Sequence, residues 1–442
     1  MSITQTHWKA ALMSAAATAG VGAMMAPGAA HAGGFYLQEQ SVRGAGRAFS
    51  GEVADQGSAS LWWNPASIGG LEGGDAHVGI SAILPRGTVR DQGTLIQRPL
   101  QPFASVGGNP VARNPIENGY LPTGAIAYGV TPNVAVGLAL TSPYSFATQY
   151  DANAWTRYTA DRSMLRTYDI QPSVAVKFGD LSIGGALNVE YSKAYLSNYL
   201  PNLSAALPDG YQALQGDGWD LGWSAGAQYK SGPLSLGVAY KSAVKHKLKG
   251  TITVQGLQGL LATGNRTADA AATFYTPWQL SFGGRLAVTD KLTLNAQGTR
   301  IGWGKFDAIY LEGVGIPALP ENYRDTWAVS AGFDLDVTPQ WTLRSGVQYD
   351  QTPTRDGNRD ARVPDGDRWN FAGGTSYKLG SNFTIDAAVN YIKVKGVPVD
   401  RATYALPTAP TTPADFRTPV AVNGRLIDAS VLIFSLGGRV TF

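Results

Sequence analysis

The stretch Trp327-Ala328-Val329-Ser330-Ala331-Gly332-Phe333-Asp334-Leu335-Asp336 decides the fold class. Trp327, Val329, Ala331, Phe333 and Leu335 fall on one side of an extended chain, and Ala328, Ser330, Gly332, Asp334 and Asp336 on the other. Successive side chains of a strand point to opposite sides, so a period of two marks a strand with one apolar and one polar face. The same parity recurs from Trp278 through Leu280, Phe282 and Leu286 to Val288, from Trp341 through Leu343 and Val347 to Tyr349, and from Phe383 through Ile385 and Val389 to Tyr391. A final strand from Ala429 places Leu432, Phe434, Leu436, Val440 and Phe442 on one face. Runs of about ten residues with aromatic ends suit strands tilted across ~25 Å of hydrocarbon between two aromatic girdles. Sandwich strands are shorter, nearer ~5–6 residues.

The connections extend this reading. Tight turns occur at Thr131-Pro132-Asn133, Gly179-Asp180, Ser231-Gly232-Pro233, Thr289-Asp290, Thr338-Pro339-Gln340 and Gly380-Ser381-Asn382. Between them lie seven longer stretches near 87–120, 143–166, 194–218, 250–273, 304–322, 352–366 and 397–428. Six turns and seven loops make thirteen connections, hence fourteen strands, with short turns on one side and long loops on the other. In lipid an open edge would leave N–H and C=O groups unpaired, so the sheet has to close. Eight strands already leave a bore that side chains just fill, so fourteen leave room for something more.

Composition agrees. Charged residues are 15% of the chain, against ~25% in typical soluble proteins, and glycine is 54 of 442. A net charge of +3 gives no basic stripe for nucleic acid. With no cysteine, and with His77 and His246 the only histidines after residue 32, no metal site and no cofactor are expected. At the front, Lys9 precedes a weakly apolar run over 10–26, and Ala30-His31-Ala32 supplies a cleavage step, so 1–32 reads as a secretory signal peptide. Gly222-Trp223-Ser224-Ala225-Gly226 has the letters of a nucleophile elbow but sits inside a strand pattern, with no acidic residue between Ser224 and His246. No enzyme is expected. The charged run from Asp350 to Arg368 reads as a solvated loop and barrel rim.

Ahead of the first strand, 33–73 lacks sustained alternation yet carries Phe35, Phe49, Trp62 and Trp63, apolar enough to pack as a plug. Here the chain resembles the FadL family of outer-membrane transporters. The residues that carry the likeness are Gly34-Phe35, Gly44-x-Gly46-Arg47-Ala48-Phe49-Ser50-Gly51 and Asn64-Pro65-Ala66. Trp219-x-x-Gly222-Trp223, Trp341-Thr342-x-Arg344-x-Gly346 and Pro364-Asp365-x-Asp367-Arg368 look like later family segments.

The resemblance implies an all-β, fourteen-stranded antiparallel transmembrane barrel over 74–442, closed by an amino-terminal hatch over 33–73, in the bacterial outer membrane. It implies passive uptake of long-chain fatty acids or similar hydrophobes: capture in a groove between loops, transfer to a pocket above the hatch, and lateral exit beside a kinked third strand. Phe35, Tyr144, Phe146, Trp155, Leu200, Leu203 and Leu207 are the expected ligand-binding residues, the three leucines having the spacing of one helical face. Gly137 is the candidate kink, although small inward residues there also make room for a hatch. The partners expected are a hydrophobic small molecule, outer-membrane lipid and lipopolysaccharide, with the protein a monomer. One departure stands out: no Lys or Arg occurs between Lys193 and Lys230, or between Lys305 and Arg324, where fatty-acid members are expected to hold a carboxylate. Arg157, Arg162, Arg166, Lys193 and Arg324 are the substitutes at hand, Lys193 pointing by parity toward lipid or the rim. The departure favours a neutral ligand of the kind handled by the related TodX-type branch, an aromatic hydrocarbon. A general porin is the remaining alternative, separated from the others by whether the hatch blocks ion flow.

Overall fold

Period-two patterning becomes one continuous antiparallel ladder. A computed structural model describes residues 33–99, 101–314, 316–405 and 418–442; the expected signal peptide lies outside the described residues. The barrel strands are β1 (Gly74–Asp91), β2 (Gly119–Gly129), β3 (Val134–Thr141), β4 (Arg162–Phe178), β5 (Leu181–Leu200), β6 (Gly210–Ser231) and β7 (Leu234–Lys241, continued by Val244–Gln255). They are followed by β8 (Arg266–Thr276, continued by Trp278–Ala287), β9 (Leu292–Gly302), β10 (Thr326–Asp336), β11 (Trp341–Asp350), β12 (Arg368–Leu379), β13 (Phe383–Val394) and β14 (Pro419–Thr441). Each pairs with the next, and β14 returns to β1 in register from Asp75–Thr441 to Asp91–Gly424 with one irregularity after Arg86. Closure is complete, as hydrocarbon requires. Gly222 to Gly226 lie inside β6, paired to β5, so Ser224 is an inward ladder residue rather than an elbow.

The two faces separate by chemistry. On β10, Val329 is 56% exposed on the outer surface and Ser330 is 4% exposed on the inner one. Trp219, Leu221, Trp327, Trp369 and Tyr391 share the outer face with other large apolar side chains, which only lipid can cover.

Strand length is where the sequence reading falls short. β5, β6 and β14 span 20, 22 and 23 residues, and the loops expected over 194–218, 250–273 and 397–428 contain much of that ladder. Beyond the bilayer both faces of these strands meet water or loop, so their backbones still pair while the apolar-polar alternation fades. Pairing does not need alternation; a lipid face does.

Inside the bore, the segment from residue 33 to the start of β1 is built of short turns. Ser41 caps a single helical turn, α1 (Val42–Ala45), by accepting from the Gly44 N–H at 3.1 Å. Asn64 caps Pro65–Ile68 by accepting from the Ala66 N–H at 2.9 Å, with proline at the first helical position where its missing donor costs nothing. The barrel wall facing this plug is cut back to backbone: a Cβ on Gly226, Gly237 or Gly346 would collide with Asn64, Val53 or Arg47. That close approach is one use of the glycine excess.

The run from Asp350 to Arg368 is corrected by the structure. Asp350, Arg359, Asp365 and Arg368 are buried rather than solvated, because the loop after β11 folds inward over the mouth.

Candidate ligand-binding site

Two features of the wall define the site. The first is a break. β3 pairs with β2 only from Gly129–Ala135 to Gly124–Leu140, after which Ser142-Pro143-Tyr144 bends inward and the chain rejoins β4 at Ser145. Proline has no N–H for a ladder, and the inward turn is taken up by the plug: Leu37 N–H donates to Pro143 O at 2.8 Å and Ser145 N–H to Phe35 O at 3.0 Å. Residues 119–123 of β2 therefore pair with β1 but have no β3 ladder beside them. The interruption is not at Gly137, which pairs with both Ala127 and Ser173; a Cβ there would come within 2.7 Å of Leu61, so this glycine makes room for the plug.

The second is a cavity of about 150 Å³ above the plug, walled by Phe146, Leu165, Leu248, Phe274, Phe306, Leu311 and Tyr323. Phe35 forms its floor, with ring centroids 4.8 Å from Trp303, 5.2 Å from Phe306 and 5.7 Å from Phe146. Such edge contacts add ~0.5–1.5 kcal/mol each beyond area burial, so the plug's first aromatic is firmly held and directly under any occupant. One end of the cavity is charged. Glu321, Asp360, Arg362 and Arg401 converge there, Arg401 lying 2.8 Å from Asp360 and 3.8 Å from Glu321. Burial pushes the Glu321 carboxyl up to about 7 against the pull of Arg401.

Beneath, the plug is locked by a charge network. Arg47, wholly buried, meets Glu52, Asp55 at 2.6 Å and Asp334 of β10 at 3.3 Å. Burial alone would raise Asp55, but Arg285, Arg43 and Arg47 together hold it well below the usual carboxylate range.

A closed barrel, a self-derived plug and an apolar cavity above it match one description: the family "Outer membrane protein transport protein (OMPP1/FadL/TodX)" covers residues 23–441. The chain belongs to the FadL/TodX family. It is an outer-membrane transport protein for hydrophobic compounds. A 47 kDa outer membrane protein of Pasteurella multocida is 29% identical over 399 residues, covering 83% of this chain and 89% of that one. A long-chain fatty acid transport protein of Escherichia coli is 24% identical, covering 84% and 90%. The crystal structure of a Pseudomonas aeruginosa FadL homologue superposes with a TM-score of 0.81 at 25% identity, covering 92% of this chain and all (100%) of that one. The Ralstonia pickettii toluene transporter TbuX shares the fold, with a TM-score of 0.63 at 19% identity, covering 91% and 98%.

Within this FadL/TodX barrel the expected ligand residues part company. Phe35 and Phe146 line the cavity, and Tyr144 packs against Phe35 at 6.0 Å. Trp155 is buried elsewhere, filling the space a side chain at Gly424 would take. Leu200 ends β5 and is buried against Ile252, Val254 and Leu311, Leu203 is half-buried, and Leu207 is exposed, so the three do not share a helical face. The chain turns at Ser204 to Leu207 without forming a helix because Pro201 and Pro208 bracket it.

None of the expected carboxylate partners reaches the cavity. Arg157 ties Val106 O at 2.8 Å and Asp209 at 3.4 Å, Arg324 donates to Thr352 O, and Arg162 and Lys193 are exposed. Arg166 stands opposite Lys193 across the β4–β5 ladder. Arg362, from the loop after β11, and Arg401, from the short strand Pro398–Tyr404 after β13, line the cavity instead. Linear spacing carries no sign of that convergence. The plug motif Gly44, Gly46, Arg47, Asn64, Pro65 and Ala66 sits together under the cavity, with Arg47 and Asn64 as its polar anchors.

Proposed function

We propose that the chain carries long-chain fatty acids or similar amphipathic hydrophobes inward without an energy source: the loops capture the ligand, the apolar cavity holds it, the plug rearranges, and it leaves through the break beside β3. The observation that carries this reading is the pairing of an apolar cavity with Arg362 and Arg401 at its end. Two arginines faced by Asp360 and Glu321 are neutral overall when both acids are ionised. With Glu321 near 7, protonation leaves one net positive charge, which a ligand carboxylate can meet. Partition supplies the driving force, at ~0.8 kcal/mol for each buried CH2. The protein acts as a monomer set in outer-membrane lipid and lipopolysaccharide.

Cavity size favours a second reading. Space of about 150 Å³ is what an engineered lysozyme cavity uses to hold benzene, so a neutral aromatic ring fits without rearrangement whereas a long chain has to extend toward the mouth. Retention of oleate, oleyl alcohol and toluene by detergent-purified protein at pH 6 and pH 8 separates the two. The fatty-acid reading expects oleate to be held better at the lower pH and the other two to be unaffected. Toluene held more tightly than oleate at both pH values would replace it with the aromatic reading.

A further inference from the structure

Where β11 ends and β12 begins, two carboxylates and one guanidinium meet out of water: Asp350, Asp365 and Arg368, none more than 2% exposed. Arg368 lies 3.3 Å from Asp350 and 3.4 Å from Asp365. Among the described residues no second Lys or Arg is within ion-pair distance of either carboxylate. Asp367 adds further negative field at Asp350. Buried ionised groups are costly unless paired, so this site is short of a cation.

What runs into it is the start of the plug. The Gly33 backbone nitrogen lies 3.1 Å from one oxygen of Asp350, and the Gly34 N–H donates to Asp365 at 2.9 Å. A Cβ at residue 33 would come within 2.9 Å of Asp350 and 3.1 Å of Arg368, so the fit admits only glycine without displacement. In the sequence, Ala30-His31-Ala32 places the signal-peptide cut immediately before Gly33. Hydrolysis there breaks the Ala32–Gly33 amide: the hydroxyl of water goes to the Ala32 carbonyl and a proton to the Gly33 nitrogen, which becomes a primary amine. An α-amine with an ordinary value near ~8 picks up a further proton at neutral pH.

We infer that Asp350 and Asp365, with Arg368, form a receptor for the processed chain's own α-ammonium group, which supplies the missing positive charge and fixes the plug two residues ahead of Phe35. The unprocessed chain offers a neutral amide at this point, so it is cleavage that supplies the charge. The inference rests on the position of the cut and not on which hydrophobe is carried.

The test uses the full-length gene product, exported, processed and purified in detergent. Brief reductive dimethylation with formaldehyde and sodium cyanoborohydride is followed by unfolding, trypsin digestion and mass spectrometry. The peptide 33–43, GGFYLQEQSVR, contains no lysine, so any label on it reports the α-amine alone. The expected result is a chain beginning at Gly33 whose α-amine reacts at least about tenfold more slowly in the folded protein than in urea. Asp350→Asn combined with Asp365→Asn is expected to abolish that protection in protein that still runs as a folded barrel on gels. Should the double variant not fold, Asp365→Asn alone is expected to give partial loss. A different first residue, a folded α-amine as reactive as the unfolded one, or folded variants with undiminished protection would each overturn the inference.

Discussion

At the scale of single residues, charge placement is where the proposed binding and the seating of the plug can be tested. Replacing Arg401 with Ala removes a charge-assisted contact worth ~1.5–3 kcal/mol, so oleate retention is expected to fall about ten- to a hundredfold while toluene retention holds. Glu321→Gln carries no proton-linked charge and should flatten the pH dependence of oleate binding; with the native residue, binding weakens as pH rises through 7 because Glu321 regains its negative charge beside Arg401. Arg47→Met leaves the buried Glu52 without its ion-pair partner, while Asp55 keeps Arg43 and Arg285 and Asp334 keeps Arg285 and Arg344. Its expected cost to plug seating is ~3–5 kcal/mol, seen as frequent current openings in planar bilayers. Arg47 could be picked out from the chain itself, since it stands in a dense Gly-x-Gly-Arg-Ala-Phe segment. Arg362 and Arg401 could not: they lie in polar stretches far apart in the chain, and they meet only because the connections after β11 and β13 converge on the same cavity.

At the scale of elements, the plug and the bend in β3 are coupled, since Phe35 and Leu37 hydrogen-bond the backbone at 143–145. Deleting residues 33–70 is expected to produce large, steady channels; conductance equal to that of the intact protein would argue against a plug. Phe35→Ala should weaken ligand retention with the barrel intact, since it removes the cavity floor. Deleting Pro143 lets β3 continue its ladder toward Gly119–Thr123 of β2, so transport should slow while binding persists, read as uptake against retention. Strands of the bilayer zone were legible because lipid enforces alternation, and the inward parity of Ala135, Gly137 and Ala139 follows from the same rule. Small residues suggest a bend at Gly137, whereas the actual turn uses Pro143 and its hydrogen-bond partner Leu37, 106 residues away in sequence. Leu200, Leu203 and Leu207 show the opposite error: helical spacing in a segment too short, and too closely flanked by proline, to make a helix.

At the scale of the whole molecule, the closed ladder predicts a protein that resists detergent until heated. Unboiled samples should migrate faster on gels than boiled ones, and identical mobility would contradict the closed ladder. The strand count was readable from turns alone, but strand height was not, because the upper ladder has no lipid face to pattern it. That height has its own consequence. A strand of 23 residues runs roughly 75 Å, or roughly 58 Å upright at a tilt near 40°, against an apolar band of ~25 Å. The wall thus rises like a chimney some ~30 Å past the oily layer. On the inward route proposed above, a greasy cargo received at its lip would travel downward behind protein, never having to dissolve among the sugars that crowd the cell's outer face.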